Sequence, residues 1–285
     1  MPLPFVGSEA LAARKLNRYQ LTTRYDMLHW DVYVPRGAVL KPVDKAVAAW
    51  LWSGRRAVVA GVSAAALHGA KWIRAEHPAE LIHTSRHKTD GIILHSDSLA
   101  DGEVCTVREI KVTTPARTAF DLGRRWGLPV AVERVDALLQ ACDLKLVEVR
   151  ALIDSHPGVR GLVQLRNVLE LADHGAESPQ ETRLRLLYTE AGMRPTQTQI
   201  KVFGKWGELV GRIDMGWPEW KVGVQYDGIQ HWTDPRQRTK DIDQDAEYRE
   251  LGWQIVRVGA DLLRHRQRMI VARTRAALQA AGSPM

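Results

Sequence analysis

Polar and apolar positions alternate along this chain in two distinguishable regimes. A short helical segment is expected over residues 17–25, with Asn17 as its N-cap. A strand-like alternation follows in Met27-Leu28-His29-Trp30-Asp31-Val32-Tyr33-Val34, stopped by Pro35-Arg36-Gly37. Helical spacing returns over 42–51. Ala57-Val58-Val59-Ala60-Gly61 then leads into a helix over 63–68. Strands are expected at 80–83 and 92–95. Val112-Thr113-Thr114-Pro115 introduces a helix over 116–125, with Thr114 capping it and Pro115 at its first position, where a missing N–H costs nothing. Amphipathic helices over 129–141, 145–154 and 160–172 complete the first regime.

The polar stretch Asp173-His174-Gly175-Ala176-Glu177-Ser178 separates this from the second regime, so domains are expected at 1–175 and 176–285. The second begins with a helix over 178–191 that stops at Gly192. Strands follow at 199–203, 208–215 and 221–226, and Asp227-Gly228 is a turn signal. A polar helix over 235–251 ends at Gly252. A buried strand over 253–258 and a last helix over 260–280 finish the chain. The first part reads as α+β. The second reads as α/β, in the order α-β-β-β-α-β-α.

Composition narrows the class. With 45% hydrophobic and 26% charged residues the chain belongs among folded globular proteins. No apolar run approaches the ~20 residues that span a bilayer. The start, Met1-Pro2-Leu3-Pro4-Phe5, lacks the basic and apolar regions of a signal peptide, so no membrane partner is expected. The cysteines are Cys105 and Cys142, without CxxC spacing. That excludes a thiolate zinc site and a disulfide framework, and it fits a reducing cytoplasm. The net charge of +7 permits a nucleic-acid partner. It is shared between the parts, with 23 basic and 19 acidic residues in 1–175 against 17 and 14 in 176–285. One local excess stands out: residues 257–275 hold six arginines and a single acid, Asp261.

The chemistry lies with acids near predicted strand ends. Glu181 sits on the first helix of the second part, Asp214 late in its second strand, and Gln225 and Asp227 at the end of its third, with His231 four residues on. Asp241 and Asp245 are one helical turn apart. Phosphodiester hydrolysis needs a hard cation to offset developing negative charge, and Mg²⁺ prefers carboxylate and water oxygens. A nearby histidine can assist proton transfer. Each residue also has a structural role available. Ser178-Pro179-Gln180-Glu181 is a capping box, and Asp227-Gly228 is a turn in its own right. Asp241 and Asp245 can pair with Arg238 and Arg249 on a solvated helix. An acid between Ile213 and Met215 is costly unless partnered, which favours function at Asp214. Trp217, Trp220 and Trp232 flank these residues, either as core or as surfaces for stacking bases.

The stretches Ser178-Pro179-Gln180-Glu181-Thr182-Arg183, Arg212-Ile213-Asp214, Val224-Gln225-Tyr226-Asp227-Gly228-Ile229-Gln230-His231, and Lys240-Asp241 through Gly252-Trp253 resemble a known group. It is the bacterial domain related to the very-short-patch-repair (Vsr) endonucleases, within the PD-(D/E)XK nuclease superfamily, and the likeness covers about residues 176–265. It implies a restriction-endonuclease-like αβββαβ core and one or two Mg²⁺ (or Mn²⁺) ions. Asp214 would be the central ligand, with Asp227 and Glu181 also on the metal. Gln225 would stand at the (D/E) position and His231 would be the histidine after the turn. The sequence departs from the motif in two ways. Gln225 is neutral, and Asp227 occupies the motif's lysine position, Lys221 being the nearest lysine on that strand.

In the first part, Ala60-Gly61-Val62-Ser63-Ala64-Ala65-Ala66-Leu67-His68-Gly69 and Val112-Thr113-Thr114-Pro115-Ala116-Arg117-Thr118-Ala119-Phe120-Asp121-Leu122 resemble AbiEi-type antitoxins of type IV toxin–antitoxin systems. That resemblance implies a winged-helix-like start over 9–35, truncated relative to the family, with residues 27–34 as the wing. Arg18 and Arg24 would face DNA phosphates, as would Arg257, Arg264, Arg266 and Arg268 at the other end of the chain. No nucleotide-binding or zinc-protease motif is present. His68, His83, His87 and His95 lack zinc spacing. The expectation is a metal-dependent DNA endonuclease with an N-terminal DNA-binding or regulatory region. The alternative is a non-catalytic, antitoxin-like regulator with a decayed nuclease fold and a toxin-like or regulatory protein partner.

Overall fold

The computed structural model describes residues 4–85, 89–228 and 235–284, with the backbone alone described for 235–242. The chain is mixed α and β and divides into two compact units, Met1–Ala172 and Asp173–Met285, close to the expected division at 175/176.

The first unit opens with β1 (Phe5–Val6), α1 (Gly7–Ala12), α2 (Arg18–Arg24), β2 (Tyr25–His29) and β3 (Val32–Pro35). Asn17 caps α2 through a full capping box with Gln20. Residues 27–34, a single strand by alternation and a hairpin wing on the antitoxin resemblance, lie in a hairpin. Asp31 takes a left-handed backbone (φ 59°) and turns β2 back onto β3. With β1 these strands form a small sheet in the order β1-β3-β2. A five-stranded sheet, β6-β5-β4-β8-β7, follows, made of β4 (Val58–Val59), β5 (Ala79–Ile82), β6 (Ile92–His95), β7 (Val104–Val107) and β8 (Ile110–Thr113). Helices α3 (Pro42–Trp52) and α4 (Gly61–Leu67) cover it with small residues, Ala46, Ala49 and Ala64, against Val59, Leu81 and Val112. Then α5 (Pro115–Arg125) packs on α6 (Leu128–Ala141), α7 (Leu146–Ser155) and α8 (Leu162–Leu171). Thr114 caps α5 through its hydroxyl, and Pro115 is its first residue.

The second unit runs α9 (Pro179–Glu190), β9 (Gln197–Phe203), β10 (Leu209–Trp217), β11 (Val222–Asp227), α10 (Pro235–Glu250), β12 (Gln254–Gly259), α11 (Ala260–His265) and α12 (Gln267–Ala280). The last two replace the single helix expected over 260–280, which breaks at Arg266. The sheet order is β12-β11-β10-β9. The three earlier strands are antiparallel, and β12 returns parallel to β11 after the α10 crossover. One face packs Met215, Trp217, Val222, Val224 and Val258 against Leu184 and Tyr188 of α9 and Ile270 and Leu278 of α12. The other packs Ile200, Val202 and Ile213 against Tyr248 of α10. The approach of α10 is so close that a Cβ on Gly211 would lie 2.3 Å from the Tyr248 hydroxyl. An alanine there would displace the Tyr248 hydroxyl and the end of the Gln244 side chain. No helix among the described residues is long and apolar enough to cross a membrane.

Candidate functional site

The second unit's sheet opens into a fork. Strands β10 and β11 pair through Met215–Val224, Gly216–Gly223 and Trp217–Val222, and the pairing stops there. The next residues, Asp214 and Gln225, stand where the two strands part. The Asp214 carboxylate takes over the work of the ladder and accepts the Tyr226 N–H at 2.7 Å. Asp214 has no ion-pair partner among the described residues. Burial pushes its carboxyl up to about 7. The Tyr226 N–H and Arg212 oppose that rise, while the negative charges of Glu181 and Asp227 add to it. These three acids therefore share one electrostatic neighbourhood.

Glu181 enters from the first turn of α9 and is 8% exposed. It caps and it faces the site at once. Its carboxylate accepts the Ser178 hydroxyl at 2.7 Å, the Glu177 N–H at 2.9 Å and the Gln199 Nε2 at 3.0 Å. Burial is the main cause of its raised pKa.

Asp227, at the end of β11, is held by Arg257. The parallel register places Arg257 beside Gln225, and from there its guanidinium donates to Asp227 at 2.9 Å. It also grips both oxygens of Asp245 on α10, at 2.6 and 3.1 Å. Such a bidentate pair is strong and directional. The two acids raise the Arg257 pKa over the opposing effect of burial.

These geometries bear on three expectations. Among the described residues no group of three or more His, Cys, Asp or Glu is placed to hold a metal ion. The carboxylate set Glu181, Asp214 and Asp227 is therefore not assembled as one, because Glu181 is spent on α9 and Gln199 and Asp227 on Arg257. Second, Arg257 is not free for DNA: its guanidinium is partly buried and committed to two carboxylates. Third, Trp217 and Trp220 take the core role of their two expected readings: Trp217 is fully buried with its indole N–H on the Arg194 carbonyl, and Trp220 packs against the same cluster. Lys221 lies at the start of β11 and donates to the Leu251 carbonyl at 2.8 Å. His231, Trp232 and the side chain of Asp241 fall outside the described residues.

Other expected residues are placed without being drawn to the fork. Arg264, Arg266 and Arg268 are exposed around α11 and α12, Arg264 near enough to Tyr226 to oppose the rise that burial gives its hydroxyl. Arg18 and Arg24 are exposed on α2 of the first unit.

What fits a cation at the fork is the oxygen chemistry. Asp214 supplies a carboxylate. Gln225 donates its Nε2 to the Arg212 carbonyl at 3.3 Å, and its Oε1 is buried without a hydrogen-bond partner among the described residues. Gln199, absent from the sequence expectations, has the same kind of orphaned Oε1. Its only sequence signal is its place on a strand beside Ile200. The left-handed backbone that aims it (φ 50°) is invisible in the residue string.

Two proteins of Mycobacterium tuberculosis are similar to this chain: the uncharacterized proteins MT2308 of strain CDC 1551 and Rv2248 of strain H37Rv. Each is 31% identical over 161 residues, which is 56% of this chain and 59% of the relative. The chain thus spans about three fifths of the length of the curated relatives it matches. No family model matches, and no solved structure matches. The chemistry rests on the residues themselves.

Proposed function

We propose that the second unit hydrolyses DNA phosphodiester bonds with Mg²⁺ or Mn²⁺, and that the first unit serves it as a DNA-binding or regulatory region. The observation that carries this reading is the fork: a buried Asp214 carboxyl at about 7, without an ion-pair partner among the described residues, next to an unpartnered Gln225 oxygen. Acceptors that outnumber the donors around them favour a cation. The element order α-β-β-β-α-β supports the likeness to the restriction-endonuclease core, and the place of Asp214 and Gln225 where β10 and β11 part supports the likeness to its site. Asp214 and Gln225 would hold the ion. When bound, it would supply positive charge against the negative charge developing on a phosphate. Glu181 positions Gln199 at the rim of the fork, and Arg257 holds the end of β11 to α10. His231 keeps its expected place in proton transfer within the same proposal. The exposed Arg264, Arg266 and Arg268 would contact phosphates and set much of the salt dependence.

A second reading is favoured by Arg257. A guanidinium already neutralises Asp227, and Gln225 adds no charge, which suits a DNA-binding regulator that has lost cleavage. The test is a nicking assay on supercoiled, mismatched, single-stranded and branched DNA with Mg²⁺ or Mn²⁺. Cleavage that needs the cation and disappears in Asp214→Asn supports the first reading. Absence of cleavage on every substrate, with salt-dependent binding that persists in EDTA and in Asp214→Asn, replaces it with the second.

A further inference from the structure

Gln199 occupies an unusual place for a residue in the interior of a strand. Its neighbours keep register with β10, Thr198 opposite Met215 and Ile200 opposite Ile213, so Gln199 holds the strand position across from Asp214. Its own backbone is left-handed at φ 50°. A side chain with a Cβ rarely adopts that region inside a strand, and it persists only where surrounding contacts impose it. The contact here is the amide: Nε2 donates to Glu181 at 3.0 Å. A carboxylate can only accept from it, which fixes which end of the amide is nitrogen. The remaining end, Oε1, is buried and has no hydrogen-bond partner among the described residues.

The strand on the other side of Asp214 repeats the arrangement. Gln225 gives its Nε2 to the Arg212 carbonyl and keeps a buried, unpartnered Oε1. Each strand adjoining Asp214 thus carries an amide at the neighbouring position, with its donor used by the protein and its acceptor left over. Buried polar atoms are satisfied in the great majority of cases. Two orphaned acceptors at the strand positions beside a buried carboxylate leave oxygens in excess of donors, an imbalance that a cation removes.

We infer that Gln199 is a cation ligand paired with Gln225, their two amide oxygens flanking Asp214 in a site for a hard divalent ion. The inference rests on the metal-dependent reading proposed above and adds a residue outside the motif that suggested it. One carboxylate and two neutral oxygens make a low-charge set. Affinity for hard ions falls with fewer charged ligands, so Gln225→Glu strengthens binding.

The experiment is thermal unfolding of the full-length chain in EDTA and then across a MnCl2 series, with each variant read against its own EDTA baseline. Gln199→Gly relieves the left-handed strain and removes the oxygen. Gln199→Asn, which tolerates that backbone and shortens the amide, serves the same purpose if the glycine variant does not fold. The Mn²⁺ concentration at half-maximal shift is expected to rise about 10-fold or more in either variant and to fall in Gln225→Glu, the scale typical of losing a ligand-sphere group. Gln197→Gly, exposed on the same strand, leaves it unchanged. A shift that depends on Asp214 but is identical in wild type and Gln199→Gly overturns the role of Gln199 and leaves the metal reading standing. No shift in wild type overturns both.

Discussion

Asp121 in the first unit and Asp214 in the second are both acids buried beside a sheet, and they are treated in opposite ways. Asp121 is fully buried and touches three guanidinium groups, those of Arg117, Arg124 and Arg125, at 3.1, 2.9 and 3.2 Å. Around it, Asp97 pairs with Arg124 and Arg125, and Glu103 with Arg117 and His156. Burial on its own would raise the pKa of Asp97 and Glu103. Arg125 and Arg124 around Asp97, and His156 and Arg117 around Glu103, outweigh it and hold both below their usual values. At Asp214 burial wins and the pKa rises. The first arrangement is closed: every carboxylate has its cation, and α5 is tied to the loop carbonyl of Ser98. The second is open: Asp214 has no ion-pair partner among the described residues, and the arginines near it, Arg212 and Arg257, are paired with Glu177 and with Asp227 and Asp245. Buried charge that is already matched serves the fold, and buried charge left unmatched marks a place for something else.

The contrast can be broken first at Arg117. Its side chain is 3% exposed and joins Glu103, Asp121 and the Ser98 carbonyl. Arg117→Ala should lower unfolding free energy by about 3–5 kcal/mol, because it strands buried carboxylates. Urea denaturation at neutral pH measures it. Asp214→Asn should act in the opposite direction. The unfolded carboxyl ionises near its ordinary value of 3.8 and the folded one near 7. The folded state therefore holds the extra proton, and stability falls as pH rises between those values. In EDTA at pH 8 the asparagine variant should be more stable than wild type by about 2–4 kcal/mol, and the gain should vanish below pH 4. Asp97 and Glu103 impose the reverse dependence. Their contribution is present above the unfolded carboxylate pKa and is lost on acidification through their lowered values. A wild-type stability profile that is flat from pH 4 to 7 while Asp214→Asn matches it throughout would remove the contrast.

Smaller changes sharpen it. Ser178→Ala removes the cap of α9 and one of the donors to Glu181, and should cost about 1 kcal/mol by thermal unfolding. The exposed Arg150–Glu170 pair, at 2.8 Å between side chains 48% and 67% exposed, is the control. Arg150→Ala should change stability by less than about 0.5 kcal/mol, since solvent screens such pairs.

What the residue string disclosed follows the range of the forces involved. Caps are local, so Asn17, Thr114 with Pro115, and Ser178 with Pro179 marked the starts of α2, α5 and α9 correctly. The strand β7 escaped because its side chains are half-exposed and do not alternate. The turn at Asp31 escaped because it has no glycine or proline at its centre. At the site, Asp214 was legible because an acid between apolar residues is costly wherever it lies. The pairing of Arg257 with Asp227 was not, since it depends on the parallel register of β11 and β12 across a crossover helix. Gln199 was hidden most thoroughly. Its distinction is a backbone angle and a missing partner, and neither has a local sequence signature.

The central claim is that the fork is open for a cation. Electron paramagnetic resonance of Mn²⁺ titrated into the full-length protein at pH 8 tests it directly, since free and bound Mn²⁺ give separable signals. The expected result is a saturable bound population in wild type that is lost in Asp214→Asn while Arg150→Ala retains it. No bound Mn²⁺ in wild type, or equal binding in Asp214→Asn, would contradict the claim.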